Sequence, residues 1–222
     1  ITTLAVAIAL SSTSSYAVNC GSITGASGVQ GCSATGTNEE ATLGLSGSNN
    51  ISHSTTPVYV LANGSGEAKL TASGNLSVSN NGSGHGINVR GQSNDGKATA
   101  EFSGSTNVTL GTTSDTGVLV SSGSGSTVKI SGDFNVTNNS TAGTVNERDG
   151  VEINTWGTIG GDSKLTHTGQ GVISVQNGNA IHMNASGPKG NIVVDLAGTG
   201  TGIQLAAAGD DHKGISAILN TG

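Results

Sequence analysis

Asp210, Asp211 and His212, in the stretch AGDDHKG, supply the carboxylate oxygens and imidazole nitrogens that hold metal ions. Adjacent residues of a strand or turn point apart, however, and nothing elsewhere in the sequence completes a ligand set. These three read as a solvated turn. GQSNDGKA, Gly91 to Ala98, comes within one residue of a phosphate-cradling loop, but Ala98 stands where a metal-holding hydroxyl belongs. A strand-like TAEFSG follows it instead of a helix, so this too reads as a turn. GGDSK places Ser163 in a context like that of a serine nucleophile, yet Lys164 follows it and no His and Asp partners can be chosen by spacing. Glu152 stands alone in its outward column, whereas polysaccharide-cleaving chemistry needs clustered carboxylates. His167 falls in an otherwise apolar column, and a local shift that carries it to solvent is expected. No catalytic residue, metal ligand or cofactor site is expected.

Cys20 and Cys32 are the only cysteines. Their spacing is not that of a metal or redox pair, and no His lies near them. In an exported chain they read as one small disulfide loop, worth roughly 3 kcal/mol on the loop-entropy argument. Export is suggested by the beginning of the sequence. Leu4 to Leu10 is an unbroken apolar run, too short to span a bilayer, followed by Ser/Thr and by small residues at Ser15 and Ala17. That is the pattern of a secretory signal, with the chain expected to start inside it and cleavage expected after Ala17.

The elements that would position any site follow from a repeat. Gly-aliphatic-x-aliphatic occurs at Gly86 (GINV), Gly117 (GVLV) and Gly150 (GVEI), with looser copies at Pro57, Ala180 and Gly214. The starts are separated by 29, 31, 33, 30 and 34 residues. Each unit carries a second element (AKLTASG, ATAEFSG, TVKISG, SKLTHTG, IVVDLAG) and a third (LSV, VTL, FNV, ISV, IQL). Side chains of a strand alternate between faces. The first and third residues after the Gly are aliphatic or Met throughout, while the residue between them is Asn88, Leu119, Glu152 or His182. One buried and one solvated face are therefore expected, with Leu119 and Lys129 facing out. A unit of about 31 residues that buries its apolar face only against its neighbours is a solenoid signature. Three strands per unit make it an all-β parallel β-helix. Five such coils, spaced about 4.8 Å apart, would form a rod about 25 Å long.

Composition agrees. The chain has 222 residues, 37 of them Gly; 33% are hydrophobic and only 2% aromatic, so the core must be packed with small aliphatic side chains. A net charge of -6 leaves no basic footprint for nucleic acid or for an anionic membrane. The chain is expected to divide into residues 1–17, a signal remnant, residues 18–56, an N-terminal capping region with the disulfide loop, and residues 57–222, the repeats.

The signal, the scarcity of cysteine, the Ser/Thr/Asn/Gly-rich coils and the recurring GVxV…TVxxSG element resemble the passenger domain of a Gram-negative autotransporter, the type V secretion pathway. The resemblance covers Pro57 to Gly222 and rests on pattern and composition. It implies a right-handed β-helix exported through the periplasm and displayed at the cell surface or released, often as an adhesin. It also implies a C-terminal translocator barrel in the full-length chain, and no amphipathic strands with aromatic girdles precede Gly222. The expected partners are a host-cell surface, extracellular matrix or glycans. Two other readings of the same fold are a secreted polysaccharide-active enzyme and a purely structural exoprotein.

Binding would fall on the third-to-first strand connections, which differ most in length and content. Asn138 to Asp149 and Ala206 to Lys213 would project from one edge of the rod. Asn138, Asn139, Glu147, Arg148, Asp149, Asp210, Asp211 and His212 are the candidate contact residues. The Asn-x-Ser/Thr triplets at Asn107 and Asn135 arise freely in this composition and imply no glycosylation.

Overall fold

Val, Ile, Leu and Ala at every second position, set between Gly-rich turns, suit strands half buried on a pleated surface. The computed structural model describes residues 17–141, 148–198, 202–208 and 213–220, and these contain twenty strands and no helix. The strands β1 (Ala17–Ile23), β2 (Gln30–Ala34), β3 (Glu40–Leu45) and β4 (Ser48–His53) come first. The next coil is β5 (Val58–Ala62), β6 (Glu67–Ala72) and β7 (Asn75–Asn80), and then β8 (Ile87–Gly91), β9 (Lys97–Phe102) and β10 (Thr106–Leu110). After β11 (Val118–Ser122), β12 (Gly125–Ile130) and β13 (Phe134–Asn138) come β14 (Val151–Thr155), β15 (Ser163–His167) and β16 (Gly171–Val175). The last are β17 (Ile181–Ser186), β18 (Ile192–Leu196), β19 (Ile203–Ala207) and β20 (Ile215–Asn220).

Three parallel sheets result, in the orders β2-β5-β8-β11-β14-β17-β20, β1-β3-β6-β9-β12-β15-β18 and β4-β7-β10-β13-β16-β19. The chain is thus a β-solenoid of about six turns of about 30 residues. The ladder has the register of the repeat. Val58 pairs with Ile87, Ile87 with Val118, Val118 with Val151, Val151 with Ile181 and Ile181 with Ile215. The segment read as a cap is itself coiled, because β2, β3 and β4 pair with β5, β6 and β7. Its alternation is equally regular, with Ala41, Leu43 and Leu45 buried on β3. The Cys20–Cys32 disulfide joins β1 to β2.

The core is a set of aliphatic columns. Val60, Val89, Val120, Ile153 and Met183 stack in one and are all fully buried. Burying each such side chain stabilises by about 1.5–3 kcal/mol. The two largest core residues meet on facing sheets, where the rings of Phe102 and Phe134 tilt together with centroids 5.1 Å apart. Beside Phe134 the next strand carries Gly171, where a Cβ would lie 1.8 Å from the Phe134 carbonyl oxygen. The repeat's leading glycine has a similar origin: a Cβ on Gly117 would lie 2.5 Å from the Gly150 carbonyl oxygen. In the last described coil, inward residues such as Val194 and Leu196 are half exposed because a neighbouring coil covers them on one side only.

Two strand side chains, His167 and Leu119, depart from the solvent exposure expected of them. His167 does not reach solvent. It stays in register between Ile130 and Leu196, fully buried, because one uninterrupted ladder from β12 through β15 to β18 leaves no room for a local shift. Leu119 does sit in the outward column, between Asn88 and Glu152, but it is only 8% exposed. Lys129 is exposed as expected.

Candidate binding faces and a buried polar network

The long connection after β13 is anchored by its ends. Asn138, the last residue of β13, is buried and points its amide inward. Its Nδ2 donates to the carbonyls of Asp115, Arg148 and Asp149, and its Oδ1 accepts from the Ser140 amide. Asn80 does the same two coils earlier, with Nδ2 donating to the carbonyls of Ser83, Gly84 and His85. Both asparagines flank Leu110 in one inward column, so the two amides fold their turns over the end of the core. Asn139 is half buried and donates from Nδ2 to the Leu110 carbonyl. Arg148 and Asp149 are buried rather than projecting. Glu147, Asp210, Asp211 and His212 lie outside the described residues, as do residues 1–16, where the signal is expected.

Asp149 is the centre of a polar network that the sequence did not reveal. Its Oδ1 accepts from the backbone amide of Asn179 at 2.7 Å and from Asn179 Nδ2 at 3.0 Å. Its Oδ2 accepts from His182 Nδ1 at 2.8 Å. His182 lies directly across the β14–β17 ladder from Glu152, whose Oε2 accepts from the Thr116 hydroxyl at 3.2 Å. The hydrogen bond to Asp149 raises the pKa of His182 above its ordinary value against the opposing effect of burial. Burial, with the nearby Asp149 charge second, raises that of Glu152. His182 Nε2 is buried without a hydrogen-bond partner. The network ties the turn before β14 to the turn before β17, one coil further on. Its signal in the sequence was the register alone, which sets GVEI opposite AIHM and puts Asp149 and Asn179 at the same position before each motif; that the Asp149 side chain turns in to meet Asn179 and His182 was not legible.

Ser163, singled out for its motif, points into the core. It is fully buried, its hydroxyl donates to the Asn184 carbonyl at 2.6 Å, and it lies 3.0 Å from Thr155 Oγ1. The near-phosphate loop leads straight into strand β9. Among the described residues no three His, Cys, Asp or Glu side chains converge as a metal site would require.

The described grooves lie on outer sheet faces. On the sheet of β4, β7, β10, β13, β16 and β19, Asn50, Ser77, Asn107 and Asn135 share one outward column, and Asn135 Nδ2 donates to Asn107 Oδ1 at 3.1 Å. A groove of about 300 Å³ runs among Ser48, Asn50, Asn75, Ser77 and Asn107. A second, of about 280 Å³, lies among Ser105, Asp133, Asn135, Gln170 and Gln204. A third, of about 420 Å³, opens on the neighbouring sheet among Lys97, Thr99, Thr127, Asp162, Lys164 and Lys189. No family model, curated protein or solved structure matches the chain.

Proposed function

We propose that the protein is an exported β-solenoid of the autotransporter passenger kind, presented at a bacterial surface, that binds through its outer faces and carries out no reaction. The observation that supports this reading best is the division of the molecule into a close-packed apolar interior and, on one sheet, outward ladders of Asn, Ser and Thr that run from β4 to β13. Such ladders offer neutral donors and acceptors at the spacing of the strands, about 4.8 Å, across four successive coils. That array is suited to an extended partner such as a surface glycan or a matrix protein. The disulfide between β1 and β2 fits an oxidising compartment. The test is binding of the labelled, folded protein to cultured epithelial cells, to immobilised matrix proteins and to arrayed glycans. Saturable binding to any of these supports the reading, and none at micromolar protein removes it.

The reading as a polysaccharide-active enzyme has one observation in its favour, the raised carboxyl of Glu152 beside the Asp149–His182 pair. Release of reducing ends from polysaccharides, lost in Glu152→Gln, would establish it.

A further inference from the structure

The third groove differs in character from the two neutral ones. The chain has eight Lys and Arg residues and a net charge of -6, yet three of its lysines, Lys97, Lys164 and Lys189, line this one groove. None of the three has a carboxylate within ion-pair distance among the described residues, whereas Lys69 and Lys129 on the same sheet are both held by Glu101, at 3.4 and 3.0 Å. Among the described residues the only acid lining the groove is Asp162, whose Oδ1 already accepts from Asn191 Nδ2.

The fold holds the three cations together. Lys97 begins β9 and Lys164 lies on β15, two strand spacings or about 10 Å across the sheet, with β12 between them. Thr99, Thr127 and Lys164 form one outward column, so hydroxyls lie between the charges. Lys189 comes from the turn between β17 and β18. That turn packs against the one before β15 so closely that a Cβ on Gly160, which has φ +78, would lie 2.8 Å from the Ser186 carbonyl oxygen and 2.9 Å from the Gly190 amide nitrogen. The arrangement is an open trough with separated cations, unlike the tight cage of donors that holds a single oxyanion. Among the described residues no aromatic side chain lines it for a base to stack on.

We propose that this groove binds the sulfate or phosphate groups of an anionic polysaccharide, laid across β9, β12 and β15. The proposal rests on the reading that the outer faces bind, and adds a ligand class to one of them.

The test compares dextran sulfate with dextran, which share a backbone, by calorimetry at about 50 and 200 mM salt, where charge-driven binding weakens markedly. Dextran sulfate should bind and dextran should not. Replacing Lys97, Lys164 and Lys189 together by Gln should weaken binding about tenfold or more. Lys69→Gln with Lys129→Gln, on the same sheet, should change it little. All three substituted lysines are exposed, and unchanged circular dichroism and thermal unfolding would confirm the fold. Competition by millimolar sodium sulfate identifies the sulfate group as the recognised unit; competition only by the polymer identifies several groups acting together, and either supports the site. No binding of dextran sulfate, an equal loss in both sets of variants, or tighter binding of a single-stranded DNA of equal charge would overturn the proposal. Undiminished binding of dextran sulfate by the triple variant would remove this site, and saturable cell binding by the same variant would leave the general adhesive reading standing.

Discussion

Replacing His167 by leucine should make the protein more stable, and increasingly so as the solution is acidified. The imidazole is fully buried between Ile130 and Leu196, and neither ring nitrogen has a hydrogen-bond partner. A neutral imidazole carries one donor and one acceptor, and a buried polar group left unpaired costs about 1–3 kcal/mol. Leucine is of similar volume, occupies the equivalent position on β18, and removes that cost. An increase of about 1–3 kcal/mol at pH 7.5 is therefore expected, or about 0.5–1.5 M in the urea midpoint for an m-value of about 2 kcal/mol/M. Burial also lowers the pKa of His167 below its ordinary 6.5. Below pH 6.5 the unfolded chain thus binds more protons than the folded one. The stability associated with the neutral ring is present above pH 6.5 and lost as pH falls through the lowered folded value. His182 acts in the opposite sense: its pKa is raised, so its contribution is present below pH 6.5 and lost as pH rises through the folded value. Comparing parent and His167→Leu at each pH cancels His182 and isolates His167. Urea unfolding at pH 7.5 and at about pH 5.5 should show a gap between the two proteins that widens in acid. A variant less stable than the parent at both values, or a gap independent of pH, would refute the argument that this histidine is a neutral, unpartnered core residue.

Val120→Asp should cost several kcal/mol in urea unfolding, because it places a carboxylate in a fully buried aliphatic column, whereas Thr109→Asp, on an exposed position of β10, should stay within about 0.5 kcal/mol. Leu119→Asp should fall between them, since that outward residue is nearly covered; equal effects at all three positions would contradict the inside–outside assignment. Cys20 and Cys32 should resist alkylation in protein isolated without reductant, as read by intact mass, and reduction should lower stability by about 3 kcal/mol for so short a loop. Asp149→Asn should move the pKa values of His182 and Glu152 in the same direction, both downward, because the Asp149 carboxylate raises both; a proton or carbon NMR titration in which either stays in place would show that another group sets it.

The coil was legible in the sequence because its determinants are periodic. A residue such as Val120 is buried for the same reason as Val89 and Ile153 above and below it, so a spacing of 29 to 34 residues states the register directly. Residues 17–53 escaped this reading because Gln30 and Cys32 stand where the next coil has the aliphatic Val58 and Val60, although QGCSA and EATLGL alternate as strictly as the later strands. What resisted the sequence was whatever depends on a turn. Asn138 reads as a loop residue free to contact a ligand, yet three backbone carbonyls within reach of one amide group bury it. His167 reads as misplaced, since polarity argues for the surface. The ladder overrules it, because shifting one strand by a residue would turn Leu165 outward and break hydrogen bonds to both neighbouring strands. The Asp149 network and the lysine groove share this origin. Each joins a strand column, where the repeat fixes which side chains are neighbours, to a turn residue whose side-chain direction only the folded chain defines. In a solenoid with so uniform an interior, distinctive chemistry collects where ladder and turn meet, and there the experiments above are directed.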